Sequence, residues 1–438
     1  MKRLLLLGLF VVLMADSMFG WGLGLGPGLS IKNAVLYLIV LVLALEYAVA
    51  RERTIFELPS IHVLFGLLIA IACFSWAANT FVGSYADYNP LRGFFALKGR
   101  LIDYYLFFLV FFLGARSQSD AIWLQRWILV VIALGSIATV MDAYNLPDLN
   151  VIELRRDGRV QGPLGEANQY GLFVAMFLPI LIAKAWTGKG LERAFFGIGA
   201  LFTFWVMVLT VSRGAYFALL AGSLIAVIYL RPYLNIRYVR RFAVAGLVVF
   251  VVTALVLGQD YANLITERTL EAASGGDAYE MTSGRTWIWV SALERMLTHP
   301  LSLITGYGWN TFRQVMQIAP HNTYFGYFFE LGIIGTFIFV MLVTGILRRT
   351  KAALAVGNTD RFVYLGLIGF VFGFCVLLTG LLFLDLTTPW YFVWAYCGIA
   401  MRAVTEALGQ SGTTEESRVS TSREAPAWPR VPVRRGRI

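Results

Sequence analysis

The sequence predicts an all-α integral membrane protein of about twelve transmembrane helices with one large outer loop. Three observations predict it. First, 58% of the 438 residues are hydrophobic and only 14% are charged, too few charges to give a soluble globule of this size a polar surface. Second, the apolar residues come in long runs such as 34–50, 122–141 and 242–258, each near the roughly 20 residues that span hydrocarbon as a helix. A transmembrane barrel shows shorter, alternating segments instead. Third, the positive charge is sorted by side: with the amino terminus inside, 24 of the 36 Lys and Arg residues fall in inner segments, as the positive-inside rule requires.

The apolar runs are centred near residues 13, 41, 69, 108, 132, 176, 203, 222, 250, 336, 373 and 396. The first follows Lys2-Arg3 without a convincing small-x-small cleavage site, so it reads as an uncleaved span. The organisation is helices one to nine over 1–258, an outer loop over 259–320, helices ten to twelve over 321–404, and a basic tail over 405–438. In the outer loop, Ser274-Gly275-Gly276-Asp277 reads as flexible. Thr286 to Leu297 carries Trp287, Trp289, Leu293, Met296 and Leu297 at helical spacing, which suits an amphipathic helix on the outer interface. The tail from Glu406 onward, rich in Ser, Thr, Glu, Arg and Pro, reads as disordered and cytoplasmic. The net charge of +10 is a topology signal, not a nucleic-acid footprint. Cys73, Cys375 and Cys397 lie in apolar segments as small core residues.

Arginines on the outer side need another explanation, because topology selects against them. Arg213 lies in Val211-Ser212-Arg213-Gly214, nearly all that separates two apolar helices. It reads either as a snorkelling helix-end arginine or as an anion site, since a guanidinium grips phosphate oxygens through paired charge-assisted bonds. Arg285, after Ser283-Gly284, stands at a helix start that also favours an anion; a plain surface arginine is the other reading. Arg155, Arg156 and Arg159 precede Gly162-Pro163-Leu164-Gly165-Glu166-Ala167-Asn168 in another outer loop and add positive potential. His321, in Pro320-His321-Asn322-Thr323 where the large loop re-enters the membrane, is either an interfacial cap or a general base, the imidazole being able to take a proton near neutral pH. Glu166 is an alternative base. His299 reads as a helix end and His62 as an inner helix start. Glu46, Asp103, Glu330 and Asp385 are the acids within or beside spans; Glu46 suggests an ion pair with Arg51 or Arg53. No residue spacing calls for a metal or another cofactor.

These fragments occur in a telling order: Val211-Ser212-Arg213-Gly214-Ala215-Tyr216, Ser283-Gly284-Arg285-Thr286-Trp287, His299-Pro300-Leu301 with Gly306-Tyr307-Gly308-Trp309-Asn310, then His321-Asn322-Thr323-Tyr324 with Glu330-Leu331-Gly332-Ile333-Ile334-Gly335. Together they resemble the O-antigen ligase and polymerase family, most sharply over about 194–347. The His299 to Gly306 spacing is a little longer than the family's. The resemblance implies an integral-membrane glycosyltransferase of the bacterial inner membrane, with both termini cytoplasmic and the site facing the periplasm. Its donor would be an undecaprenyl-diphosphate-linked glycan. The acceptor would be lipid A core for a ligase or a second lipid-linked glycan for a polymerase; a third variant glycosylates protein. By motif, Arg213 and Arg285 would bind the diphosphate and His321 would activate the acceptor hydroxyl, with Arg159, Glu166 and Asn322 as accessory candidates. The polyprenyl tail would enter between helices, under the Trp-rich outer helix as a lid. The loop length and the lack of an added soluble domain lean toward the ligase. From another class, a transporter remains open; it predicts inverted repeats, helices broken at mid-membrane and paired acids along a pathway.

Overall fold

The computed structural model describes residues 2–19, 24–26, 29–50, 57–82, 88–146, 158–235, 284–356 and 360–423, with isolated positions between 240 and 270. Its elements are helical apart from a short hairpin of Gly24–Gly26 against Leu29–Ser30. The amino-terminal half contains α1 (Lys2–Phe19), α2 (Ile31–Ala50), α3 (Pro59–Phe81), α4 (Pro90–Leu97), α5 (Asp103–Gly114) and α6 (Gln118–Ala143). A π-helical turn, Lys98–Ile102, joins α4 to α5. Then come α7 (Ala167–Thr187), α8 (Gly190–Leu209) and α9 (Arg213–Leu230). After the gap stand α10 (Arg285–Leu297), the short α11 (Ser302–Thr305) and α12 (Phe312–Met316), and the long α13 (Thr323–Ala355), α14 (Arg361–Gly380) and α15 (Pro389–Arg423).

Eight of these helices are long and apolar enough to cross a membrane: α2, α3, α6, α7, α8, α9, α13 and α14. The expected count of about twelve is therefore not reproduced among the described residues. Helices do stand at eleven of the twelve expected centres, but α1 carries Lys2, Arg3 and Asp16 within its 18 residues, α5 is short and follows the π turn, and α15 carries charge. The span expected near residue 250, the loop over 259–283 and the tail over 424–438 lie outside the described residues. One boundary moves: α15 continues to Arg423, past the break expected near 405. Arg402 bonds Glu406 one turn on at 2.6 Å, an (i, i+4) pair that carries the helix across that point.

The helices start where local chemistry lets them. Ser117, Ser212, Asn322 and Asp360 each accept an otherwise unpaired backbone N–H of the helix that follows, and Pro59 and Pro90 open α3 and α4. Helices also satisfy their own backbone, which is the requirement hydrocarbon imposes. α7 and α14 are the most enclosed spans and pack on each other, with α8 and α9 alongside and α5 against α15. Glycines set these approaches. A Cβ on Gly373 of α14 would meet the Met176 carbonyl of α7, and one on Gly222 of α9 would meet the α14 backbone at Val376; membrane helices associate through such small-residue contacts. Pro179 lies within α7 without ending it. α9 turns Leu220, 74% exposed, together with Leu224 and Ile228 away from the protein, the apolar face that lipid covers.

One end of the bundle is laced by ion pairs: Lys2 and Arg116 with Glu46, Arg126 and Lys184 with Glu192, and Arg402 with Glu57 at 2.6 Å. Glu46 thus takes partners from α1 and the α5–α6 turn; Arg51 and Arg53, its neighbours in sequence, lie outside the described residues. The opposite end holds the candidate site.

Gly373→Leu is expected to destabilise the bundle, because the larger side chain has backbone in its way; overpacking of this kind costs about 1 to 3 kcal/mol. Gly345→Leu on α13, where nothing among the described residues stands within 4 Å, is the control. Thermal unfolding in detergent should show a clear drop for the first and none for the second.

Candidate functional site

Arg213 is the first residue of α9, and Ser212 caps that helix by accepting from Ala215 N. The tight α8–α9 turn before it is held from the side. Arg159, 2% exposed, donates through Nε to Thr210 O at 2.8 Å and through Nη2 to Asn168 Oδ1 at 2.6 Å. Glu166 caps α7 by accepting from Asn168 N and Gln169 N at 3.2 and 2.7 Å. The loop that carries Arg159 and Glu166 is thereby fixed to the turn that presents Arg213. Arg155 and Arg156 lie outside the described residues.

Arg285 is the first residue of α10, entered through Gly284 in the left-handed region at φ 78°, a conformation open to glycine at little cost. The buried face of α10 is Ile288, Ala292 and Met296, packed in a small separate core with Tyr307, Phe312 and Phe329. Trp287, Val290, Leu293 and Leu297 are exposed. Trp289 donates from Nε1 to Pro320 O at 2.8 Å, fastening α10 to the residue before His321. His321 itself adopts φ 50°, an uncommon conformation for a residue with a side chain. Asn322 then caps α13 by accepting from Phe325 N at 3.0 Å. Thr323 bonds the α14–α15 loop twice at Leu384 O, through N at 3.2 Å and Oγ1 at 2.9 Å. That loop carries Asp385.

What positions these pieces is a break in α13. Gly332, at φ 65° and ψ −168°, interrupts the helix, and the carbonyls of Phe329 and Glu330 turn to a passing segment instead. Tyr307 N donates to Phe329 O at 2.7 Å and Gly308 N to Glu330 O at 2.9 Å. Asn79 and Ser75 of α3 hold the same strap at Tyr307 O and Trp309 N, at 3.0 and 2.9 Å. Side chains at Gly306 and Gly332 would collide with the facing backbone. The glycines of the Gly306-Tyr307-Gly308 and Glu330-Leu331-Gly332 motifs are therefore a backbone-to-backbone joint.

The three residues singled out in the sequence come together electrostatically. Arg285 feels Arg213 and Glu166, and His321 feels Arg285, Asp385, Glu166 and Arg313. Burial, then the Arg213 charge, lowers the Arg285 guanidinium from its ordinary value, and Glu166 works against this. Burial, then Arg285, pushes the His321 imidazole below its ordinary 6.5, with Asp385 and Glu166 opposing. Burial raises the Asp385 carboxyl, against the pull of Arg100, Arg313 and His321. Such a site favours the neutral form of the imidazole, on which the Arg285 and Arg313 guanidinium groups both act. Arg313, 3.6 Å from Asp385, has no motif to mark it in the sequence, which shows Asp385 only as one of four scattered acids. Among the accessory candidates, Glu166 reaches the site by charge, whereas Arg159 and Asn322 act on backbone and helix ends. His299 stands just past α10, its ring 6.2 Å from that of Tyr307, and His62 bonds the Tyr105 hydroxyl at 3.1 Å. Among the described residues no three His, Cys, Asp or Glu side chains converge as a metal site.

Residues 198–340, about a third of the chain, match the family described as O-antigen ligase. Among curated proteins nothing matches the chain. The matched segment contains Arg213, Arg285, His321 and both halves of the glycine joint. It supports an O-antigen ligase or polymerase type of glycosyltransferase in a multi-pass helical membrane protein.

Gly332→Ala is expected to loosen the joint. At φ 65° and ψ −168° an alanine occupies a region that is essentially glycine's alone, at a cost of about 1 to 3 kcal/mol, and its Cβ also meets the Ile304 carbonyl. Amide hydrogen exchange should show Tyr307 and Gly308 losing protection, while α7 and α14 keep theirs; unchanged protection at Tyr307 would contradict the joint.

Proposed function

We propose that this member of the O-antigen ligase family moves a glycan from an undecaprenyl-diphosphate carrier to an acceptor hydroxyl, with lipid A core as the acceptor, on the periplasmic side of the bacterial inner membrane. The observation that carries this reading is a run of neighbouring charges: Arg213 acts on Arg285, each the first residue of its helix, and Arg285 acts on the half-buried His321. Two guanidinium groups that repel one another are a poor arrangement for stability and a good one for a diphosphate. The orientation rests on the charge sorting along the sequence, which puts 24 of the 36 basic residues in inner segments. Both termini are then cytoplasmic.

The reaction is a displacement at the anomeric carbon of the donor sugar. The acceptor oxygen forms a bond to that carbon as the bond from carbon to phosphate oxygen breaks, and the electron pair of that bond leaves on the diphosphate. Arg213 and Arg285 stabilise the charge where it develops, in the manner of any fixed cationic hole. His321 takes the hydroxyl proton, which its neutral ring is ready to accept. Positive charge from the arginines replaces what a divalent cation does in other phosphate chemistry, so transfer proceeds in EDTA. The polyprenyl chain lies against the apolar side of the bundle, where the exposed Trp287, Val290 and Leu297 of α10 form a lid.

Polymerase chemistry uses the same donor and the same three residues, and differs only in taking a second lipid-linked glycan as acceptor. A transporter fits less well. Pro179 leaves α7 unbroken, and the break at Gly332 lies in the first third of α13, next to a polar cluster at the bundle end.

Purified protein in nanodiscs, given an undecaprenyl-diphosphate oligosaccharide and lipid A core, tests the assignment. Arg213→Ala and Arg285→Ala should each lower kcat/KM by about 100- to 1000-fold, and His321→Ala by about 100-fold or more. Lysine at 213 or 285 should restore only part, because an ammonium lacks the paired geometry. Normal transfer by all three alanine variants would sink the assignment.

The pH profile gives a separate check. A base works in its neutral form, so transfer rises with pH through the His321 pKa and is level above it. Since burial and Arg285 lower that pKa, the acid limb should be centred below 6.5. An acid limb centred above that value would contradict a half-buried neutral base.

A further inference from the structure

Beside His321 lies a cleft that the diphosphate chemistry does not use. Its walls are aromatic, with Trp309 and Tyr327 at 6.4 Å between ring centroids and Tyr104 and Trp390 at the same separation. Its polar groups are of both kinds. The Glu330 carboxylate accepts from Phe312 N at 3.2 Å through Oε1, and the Arg100 guanidinium acts on it electrostatically. Arg100 belongs to the π-helical turn between α4 and α5, a distortion that recurs at functional sites. Trp309 is 4% exposed, and its indole N–H has no partner among the described residues. Buried donors are nearly always paired, so this one points to a ligand oxygen.

We propose that this cleft is the subsite for the acceptor sugar, with Trp309 Nε1, Glu330 and Arg100 bonding its hydroxyls and the aromatic rings covering its C–H faces. This inference rests on the transferase reading above and adds where the second substrate lies. A hydroxylated ring presents apolar faces and a polar rim, and the cleft offers the matching surfaces, apolar walls with a few placed donors and acceptors. Its position selects the acceptor over the donor sugar. Pro320 and Thr323, on either side of His321 in the chain, line it, as does Asp385, whose charge acts on His321. Arg213 and Arg285 do not line it. The donor, held by its diphosphate, and a ring in the cleft therefore meet at the base, and the cleft's occupant is the one whose hydroxyl proton His321 takes.

Trp309→Phe keeps an aromatic ring in the wall and removes the N–H together with one ring of the indole; Glu330→Gln keeps an acceptor for Phe312 N and removes the charge. Steady-state transfer would be measured with donor and acceptor varied separately, beside thermal unfolding of each variant. The expected result is an acceptor KM raised about tenfold, the worth of one good hydrogen bond, with donor KM and kcat within about twofold. Trp309→Phe should lower the melting temperature only by what the smaller ring costs in packing, because no protein group loses a hydrogen-bond partner. If Glu330→Gln unfolds early, Trp309→Phe alone decides. A raised donor KM would place the donor sugar in the cleft and overturn the proposal, as would two unchanged KM values. Neither result touches the transferase reading, which stands or falls on the arginine and His321 variants.

Discussion

The interrupted helix α13 is the constraint on which the rest of the site depends. In an apolar surrounding, a carbonyl that loses its helical partner must find another, at a cost of several kcal/mol if it does not. The Phe329 and Glu330 carbonyls find Tyr307 N and Gly308 N. Once that strap is fixed, Tyr307 and Phe312 stand where they can form a small core with Ile288, Ala292 and Met296 of α10. The core sets α10 and therefore Arg285, and Trp289 ties the same helix to Pro320, next to His321. A backbone joint of a few glycines thus fixes two of the three chemical groups, although none of its own atoms has a chemical role.

The third group, Arg213, is fixed independently by the α8–α9 turn and the buried Arg159 behind it. Bringing Arg213 near Arg285 costs free energy, because like charges repel and burial adds desolvation. Glu166 relieves part of this and Asp385 does the same for His321. On the proposed reading, a diphosphate entering between the arginines would convert the repulsion into attraction. The site would then be stabilised by its own substrate, an arrangement that concentrates binding energy at the bond to be broken.

Much of this was legible in the sequence. Arg213, Arg285 and His321 stand out because each breaks a rule, charge on the side that topology keeps neutral or an imidazole at a membrane edge, and because short motifs surround them. Helix positions were legible from apolar runs. The number of full spans was not, since α5 is shortened by a π turn and α15 carries charge, features that composition blurs. Partners chosen by packing were also hidden: Glu46 pairs with Lys2 and Arg116, both far from it in sequence, and Asp385 acts on His321 from the α14–α15 loop, which Thr323 bonds at Leu384 O. An acid in a short connection between two apolar segments was the available signal for Asp385. For Arg313 no signal existed beyond its place on the outer side.

The central claim is that Arg213 and Arg285 hold a diphosphate beside His321. A cryo-electron microscopy map of the protein in nanodiscs, loaded with a non-transferable undecaprenyl-diphosphate sugar analogue, addresses it directly. The account predicts diphosphate density in hydrogen-bond contact with both guanidinium groups, with the sugar end toward His321 and its aromatic cleft. Density for the diphosphate at any other cationic cluster, with Arg213 and Arg285 left apart from it, would contradict the account.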